Sequence, residues 1–257
     1  VLIALGHFEI HDGEINMEPK LDGVSFRYVE TNGIRMRIAE SGVSGPLVVL
    51  AHGWPESWYS WRHQLTGLAQ AGYRVVAPDM RGYGETDAPE DISEYDLDAL
   101  SADMLGVLDA LDEKTATIVG HDWGAPVAQS SAFRYPDRFT ALVMMSVLYS
   151  ARSKTNPIES MRAAFGDNFF YILYHNEEGG VAEAEYDSDP RGILSRLYLS
   201  PQSPRANAVV TDSKRAAGGW IPRLGAPLGL PDWLPQELSL IHISEPTRLG
   251  ISSYAVY

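Results

Sequence analysis

A carboxylate stands where a tight turn between a strand and a helix would present a nucleophile. Residues 117 to 127 read TIVGHDWGAPV, in which an apolar run meets a turn of the form small-x-nucleophile-x-small with Asp122 at its centre. Such turns usually carry serine, force their central residue into a strained conformation and lift its side chain above the sheet. Gly120 and Gly124 are required on either side because the strand and the helix pass close together. Asp122 is therefore the candidate nucleophile.

Two backbone N–H groups are expected to face this carboxylate. One belongs to Trp123, at the start of the helix, and the other to Trp54, in the loop AHGWP that follows an earlier apolar run. Amides in these positions form an oxyanion hole. The helix N-terminus also adds a field that keeps Asp122 ionised.

A carboxylate nucleophile limits the reactions that the site can perform. It is a poor base, but it can displace a leaving group that departs readily from saturated carbon. The product is then an alkyl ester on the enzyme. Water then opens that ester at the aspartyl carbonyl, so the expected electrophile is an epoxide or a carbon–halogen bond. In the alternative interpretation, Asp122 only caps the helix N-terminus at Ala125.

Alternating strand and helix patterns between residues 17 and 147 must position these groups. They predict an α/β fold, with a mostly parallel sheet and helices on both faces. The Asn32-Gly33 turn predicts a hairpin of strands at Val24–Thr31 and 34–39. Further strands are predicted at Leu47–Ala51, 73–77, 115–119 and Phe139–Met145, and helices at 57–71, 97–111 and 125–135.

The composition of the chain limits which classes of binding partner are expected. The net charge of −14 argues against nucleic acid and anionic membranes, because like charges repel. No apolar run approaches the ~20 residues of a membrane span. The chain has no cysteine, which excludes thiolate metal sites, and no His/Asp/Glu spacing suggests another metal. We expect a soluble, cytoplasmic protein without metal or cofactor, and the sequence leaves its oligomeric state open.

Three segments carry a family resemblance. LAHGWPESWYSWRHQ (50–64), DMRGYGETDAPE (79–90) and VGHDWGAPVA (119–128), in this order, resemble the soluble epoxide hydrolases of the α/β-hydrolase superfamily. The resemblance covers most of residues 17 to 237. It implies an α/β-hydrolase fold with a helical cap, an apolar epoxide and water as substrates, and a cis bond between Trp54 and Pro55.

The resemblance also assigns an acid. An epoxide oxygen leaves as an alkoxide that needs a proton, and the family supplies tyrosines from its cap. The segment FFYILY (169–174), followed by GVAEAE (180–185), resembles that region and places the role on Tyr171, with Tyr174 in reserve. A phenol suits this task because the alkoxide is far more basic than phenolate. The alternative for either tyrosine is packing.

Other aromatic residues are candidates for the substrate pocket. Pro55, Trp58, Trp61 and Tyr174 are expected in its wall, and ordinary core packing is the alternative for the tryptophans. His52 and His121 lie inside the motifs, where we expect them to hold loops by hydrogen bonds. Asp79 and Arg81 are expected to fix the turn that follows their strand.

Two other functions stay open. Haloalkane dehalogenases share the GHDWG turn, and a Trp or Asn in their oxyanion loop helps to bind halide, a role that Trp54 fits. The continuation PESWYSWRHQ favours an epoxide hydrolase. The non-enzyme alternative is an inert fragment or a ligand-binding protein of α/β-hydrolase type.

Both ends of the chain look foreign. Residues 1 to 16 are expected to be a non-native or disordered leader before Met17, and residues 148 to 237 to be a partial cap. Residues 238 to 257, LSLIHISEPTRLGISSYAVY, resemble a translated sequencing adapter, and so a cloning or sequencing artefact.

The family's base, a histidine after the last strand, has no counterpart. The histidines that follow Asp122 are His175 and His242, and neither matches the family's position. No Asp or Glu stands directly at the C-terminal end of the strand Phe139–Met145 either. The sequence therefore predicts a chain cut off inside its cap, without its last core strands, acid and base, and defective in ester hydrolysis.

Overall fold

The computed structural model describes residues 9–11, 14–16, 21–149, 151 and 154–229. These fall into two compact units, residues 9–88 with 97–149, and residues 89–96 with 151–229. Part of the predicted leader forms a short antiparallel pair of strands, β1 (Glu9–His11) and β2 (Glu14–Asn16). The adapter-like segment 238–257 lies outside the described residues, and the predicted domain bounds stay predictions.

The first unit is built on a six-stranded sheet. Its strands are β3 (Val24–Thr31), β4 (Ile34–Ser41), β5 (Leu47–Ala51), β6 (Arg74–Pro78), β7 (Ala116–His121) and β8 (Phe139–Met145). They are ordered β3-β4-β6-β5-β7-β8. The pairings from β6 through β5 and β7 to β8 are parallel, and the two that involve β4 are antiparallel. The sheet is therefore parallel where it approaches Asp122.

Helices cover both faces of this sheet. They are α1 (Arg62–Gln70), α2 (Leu97–Ala110) and α3 (Gly124–Arg134). Alternate residues of a strand point to opposite faces. Val49 of β5 accordingly joins a core cluster with residues of α2 and α3, whereas Val48 and Leu50 join a second cluster with Leu65 of α1. This arrangement confirms the predicted layers.

The structure confirms the predicted hairpin turn, helix and strand, with small shifts in where the elements begin and end. Asn32 and Gly33 both have positive φ, 44° and 78°, as a type I′ hairpin turn requires. The predicted helix 57–71 begins instead as a 3₁₀ helix, Trp58–Trp61, which places the buried rings of these two tryptophans on one side. Strand β7 runs two residues further than predicted, because Gly120 and His121 still pair with neighbouring strands.

A buried ion pair links the loop after β6 to α2. The guanidinium of Arg81 donates to both carboxylate oxygens of Asp103, at 2.6 and 2.8 Å, and neither side chain is exposed. The amide of Asn32 donates to the same carboxylate at 3.0 Å. Asp79, the other predicted turn residue, accepts from the N–H of Trp58 at 3.1 Å. Asp79 and Arg81 thus fix this region, as predicted.

The second unit consists of short helices. They are α4 (Pro157–Phe165), α5 (Tyr171–His175), α6 (Val181–Ser188) and α7 (Pro190–Leu197), with 3₁₀ turns at Ile92–Tyr95, Arg215–Ala217 and Ile221–Arg223. Helices α4 and α7 begin with proline after an Asn156 or Asp189 side-chain cap. No helix of the described residues is both long and apolar enough to cross a bilayer.

Candidate active site

Asp122 occupies a strained turn between β7 and α3. Its φ is +51°, a left-handed value that costs a residue with a side chain about 1–3 kcal/mol. The close packing of strand and helix enforces this geometry. A Cβ on Gly120 would lie 2.1 Å from the carbonyl oxygen of Gly124, and a Cβ on Gly124 would lie 2.2 Å from that of Ala51. Only glycine fits at both positions, as the sequence predicts.

The Asp122 carboxylate turns towards the loop after β5. The backbone N–H of Trp54 donates to its Oδ1 at 3.0 Å. Helix α3 has no side-chain cap, and the N–H of Ala125 bonds to the backbone oxygen of Asp122 instead. The alternative in which Asp122 only caps its helix is therefore wrong. Trp123 lies at the N-cap position of α3, where its N–H was predicted to face the carboxylate.

The loop that carries Trp54 is fixed by His52. The N–H of Met80 donates to His52 Nε2 at 3.0 Å, so the ring proton is on Nδ1, 2.9 Å from the carbonyl oxygen of Gly53. Burial lowers the pKa of His52, which keeps the ring neutral. The bond between Trp54 and Pro55 is cis, which confirms that prediction. The hydrogen-bonding role predicted for His52 is also confirmed.

An ion pair joins this loop to the nucleophile turn. Glu56 Oε1 lies 2.8 Å from His121 Nδ1, and its Oε2 accepts from the N–H of Gly53 at 3.1 Å. The hydrogen bond to Glu56 raises the pKa of His121 against the effect of burial. Burial favours the neutral form of Glu56, but the hydrogen bonds from His121 and Gly53 outweigh it and lower the pKa. Sequence reasoning missed Glu56, and its position after the cis-proline was the available signal.

The tryptophans predicted for the pocket wall differ in their surroundings. Trp58 is buried in the core with its ring 4.7 Å from that of Phe26, so packing accounts for its position. Trp61 is also buried, but its ring meets that of His121 edge-on, at 6.4 Å between centroids. Pro55 is half-buried in the loop beside Trp54. A pocket role stays a prediction for Trp61 and Pro55.

The two candidate acids lie one turn apart on α5 and differ in exposure. Tyr171 is 37% exposed, and its ring stacks on that of Trp220 at 4.9 Å with 19° between the planes. Tyr174 is 6% exposed, and its hydroxyl donates to Glu185 Oε2 at 3.0 Å. Burial, followed by the negative charge of Glu185, raises the pKa of Tyr174. The greater exposure of Tyr171 favours it over Tyr174 as the candidate acid.

His175 is engaged inside the second unit. Its Nε2 lies 2.7 Å from the hydroxyl of Tyr186, and burial lowers its pKa to about 4. The ring is therefore neutral near pH 7 and is hydrogen-bonded to Tyr186. Within the described part of the chain, no group of three or more His, Asp or Glu side chains is arranged to hold a metal ion.

Comparison with known proteins identifies relatives of this chain. Residues 46–171 match the family model of the α/β-hydrolase fold. The chain is 44% identical to epoxide hydrolase A of Mycobacterium tuberculosis over 228 residues. This aligned region covers 88% of this chain and 70% of the relative. It is 38% identical to epoxide hydrolase 2 of Siraitia grosvenorii, over 84% of this chain and 66% of that protein.

Solved structures agree with this assignment. The crystal structure of epoxide hydrolase A from Mycobacterium thermoresistibile superposes with a TM-score of 0.79 at 46% identity, over 90% of this chain and 74% of that one. An epoxide hydrolase from Vigna radiata superposes with a TM-score of 0.77 at 35% identity, over 92% and 73%. The chain thus spans about two thirds to three quarters of the length of these relatives.

Proposed function

The chain belongs to the epoxide hydrolases of the α/β-hydrolase superfamily, and from that premise we propose that it opens a small apolar epoxide with water to a vicinal diol. The observation that carries the proposal is the Asp122 carboxylate, held at positive φ with a backbone N–H of Trp54 on one oxygen. This arrangement suits displacement at tetrahedral carbon, since the nucleophile is fixed before the substrate arrives.

In the first step, Asp122 attacks an epoxide carbon. The carboxylate oxygen that does not accept from Trp54 forms a C–O bond, and the ring C–O bond breaks. The epoxide oxygen takes a proton from the phenol of Tyr171, in our proposal, so that it leaves as a hydroxyl rather than as an alkoxide. The product is a hydroxyalkyl ester of Asp122.

In the second step, water attacks the aspartyl carbonyl carbon. Negative charge develops on the carbonyl oxygen, where the N–H groups of Trp54 and Trp123 would stabilise it. The tetrahedral intermediate then releases the diol and restores the carboxylate, and the proton lost in this hydrolysis returns to the phenolate of Tyr171. Water needs a base for this attack, and the family places a histidine in that role. Among the described residues, His175 is hydrogen-bonded to Tyr186 inside the second unit, so we do not assign this role to it.

Intact-mass spectrometry after incubation with styrene oxide tests the proposal. We expect a mass increase of one epoxide per chain in samples quenched with acid during the first turnover, located by peptide mapping at Asp122. Asp122→Asn should abolish the adduct. Asp22→Asn, which makes the same change at an exposed residue outside the turn, should not. An adduct that maps to another residue, or that still forms in Asp122→Asn, would refute the proposed role of Asp122.

A parallel incubation with a 1-bromoalkane separates the alternatives. An adduct at Asp122 from the bromoalkane but not from the epoxide would favour a haloalkane dehalogenase. A chain that gives no adduct with either reagent would be an inert fragment or a binding protein. The cytoplasmic location and the lack of nucleic-acid partners remain predictions from the sequence.

A further inference from the structure

The proposed acid, Tyr171, is placed by contacts from outside its own helix. Helix α5 has only five residues, too few for a stable helix without tertiary support. One face of the Tyr171 ring is stacked on Trp220, a residue that immediately precedes the 3₁₀ turn Ile221–Arg223. The orientation of the phenol therefore depends on how α5 and this turn are held together.

One carboxylate binds both of these segments. Glu185, on α6, accepts from the hydroxyl of Tyr174 at 3.0 Å, one turn after Tyr171 on α5. It also accepts from the backbone N–H of Trp220 at 2.8 Å and from that of Ile221 at 3.2 Å. Hydrogen bonds to an ionised acceptor are about twice as strong as neutral ones. Glu185 thus fixes the helix that carries Tyr171 and the residue on which its ring rests.

The approach of the backbone to this carboxylate depends on Gly219. A Cβ at this position would lie 2.1 Å from Glu185 Oε1 and 2.5 Å from its Cδ. Any side chain there would force the carboxylate away from the N–H groups of Trp220 and Ile221. The contact therefore requires both a glutamate at 185 and a glycine at 219, which makes it a specific arrangement rather than a chance surface contact.

We propose that Glu185 is a positioning residue for proton donation by Tyr171, acting through Trp220 and Tyr174. The proposal rests on the proposed epoxide-opening function. In this proposal Glu185 takes no part in making or breaking bonds, and its contribution is to keep the phenol in the orientation that protonates the leaving oxygen. The hydroxyl of Tyr174 is already committed to Glu185, which leaves Tyr171 as the proposed donor of the pair.

The test is the single-turnover rate of Asp122 alkylation by saturating styrene oxide, followed by intact-mass spectrometry of the full chain. Glu185→Gln cannot accept from all three donors. We expect it to slow alkylation about tenfold, a fraction of the roughly 100- to 10,000-fold that a well-placed acid contributes. Gly219→Ala should slow alkylation similarly. Asp187→Asn removes the same charge from an exposed position on α6 and should leave the rate unchanged.

A double-mutant cycle distinguishes positioning from general destabilisation. In a Tyr171→Phe background, followed over a longer incubation, Glu185→Gln should have no further effect, since the group that it positions is gone. Equal slowing in both backgrounds would overturn the proposal, as would a Glu185→Gln rate equal to that of the Asp187→Asn control. A wild-type chain that is not alkylated at Asp122 would instead refute the proposed function. Far-UV circular dichroism checks that each variant is folded.

Discussion

Substitution of Gly53 by alanine should displace the nucleophile without altering its chemistry. A Cβ at Gly53 would lie 2.5 Å from the Cβ of Asp122 and 2.6 Å from its Oδ1. A flexible side-chain end could rotate away, but the Cβ of Asp122 is bound directly to the backbone. Ordinary contact between two carbons needs about 3.5 Å or more. The turn must therefore move by roughly 1 Å.

The cost of this movement follows from the geometry. A displacement of about 1 Å would break the 3.0 Å hydrogen bond between the Trp54 N–H and Asp122 Oδ1. Misplacement of a reacting group by this amount typically lowers a rate by about 100-fold, or roughly 2.7 kcal/mol in activation free energy. We expect Gly53→Ala to slow single-turnover alkylation of Asp122 by that factor.

A matched control exists in α1. Gly67 has no atom within 4 Å of the position that a Cβ would take. Gly67→Ala should leave the alkylation rate unchanged and raise the free energy of unfolding by up to ~1 kcal/mol, because alanine favours helix. Intact-mass kinetics and thermal melts measure both variants. If a folded Gly53→Ala variant were alkylated at the wild-type rate, the predicted displacement of Asp122 would be refuted.

Three further predictions concern the stability and the self-association of the protein. Asp103→Asn should lower the free energy of unfolding by about 1.5–3 kcal/mol in urea titrations, because it removes a charged acceptor from its bidentate contact with the buried guanidinium of Arg81. The ion pair of Glu56 and His121 should stabilise the fold most between pH 4.5 and 6.5, the ordinary pKa values of the two groups. Its contribution falls as the pH rises through the raised pKa of His121 or drops through the lowered pKa of Glu56. The strand β8, which is the last in the order of the described sheet, should promote self-association, because Val143 on it is 46% exposed, and Val143→Lys should raise the concentration at which light scattering begins.

Each of these predictions has a control or a contrary outcome. Asp98→Asn removes a carboxylate that pairs with Arg134 at the surface and should cost less than about 1 kcal/mol. If His121→Asn and the wild type show the same dependence of stability on pH between 4 and 8, the ion pair contributes nothing. A sharp, reversible melt of a monomeric wild type would contradict the predicted association through β8.

The sequence revealed the chemistry because its signals are local. The two glycines around Asp122 and the Asn-Gly turn are short patterns whose backbone demands can be recognised from neighbouring residues alone. The bounds of β3, β5 and β8 also follow from runs of adjacent side chains. The predicted ends of elements were less accurate where contacts with other elements extended them. Strand β7 is an example, because its last residues pair with β5 and β8.

The pairings that complete the site were not readable in this way. The N–H of Trp54 meets a carboxylate 68 residues away, and Glu56 meets His121 across a similar gap. Nor did the pattern around GVAEAE indicate that Glu185 would bind Trp220, 35 residues later. The sheet order, in which β6 lies between β4 and β5, is equally hidden.

The sequence by itself determined which residue is the proposed nucleophile, which turn holds it and which layers surround it. Only the tertiary structure decided which distant groups meet that carboxylate, which of two tyrosines is exposed, and which glutamates hold the loops. The physical reason is that strand, helix and turn preferences act between neighbouring residues. Contacts between remote segments instead depend on how whole elements pack, and that packing is set jointly by many side chains.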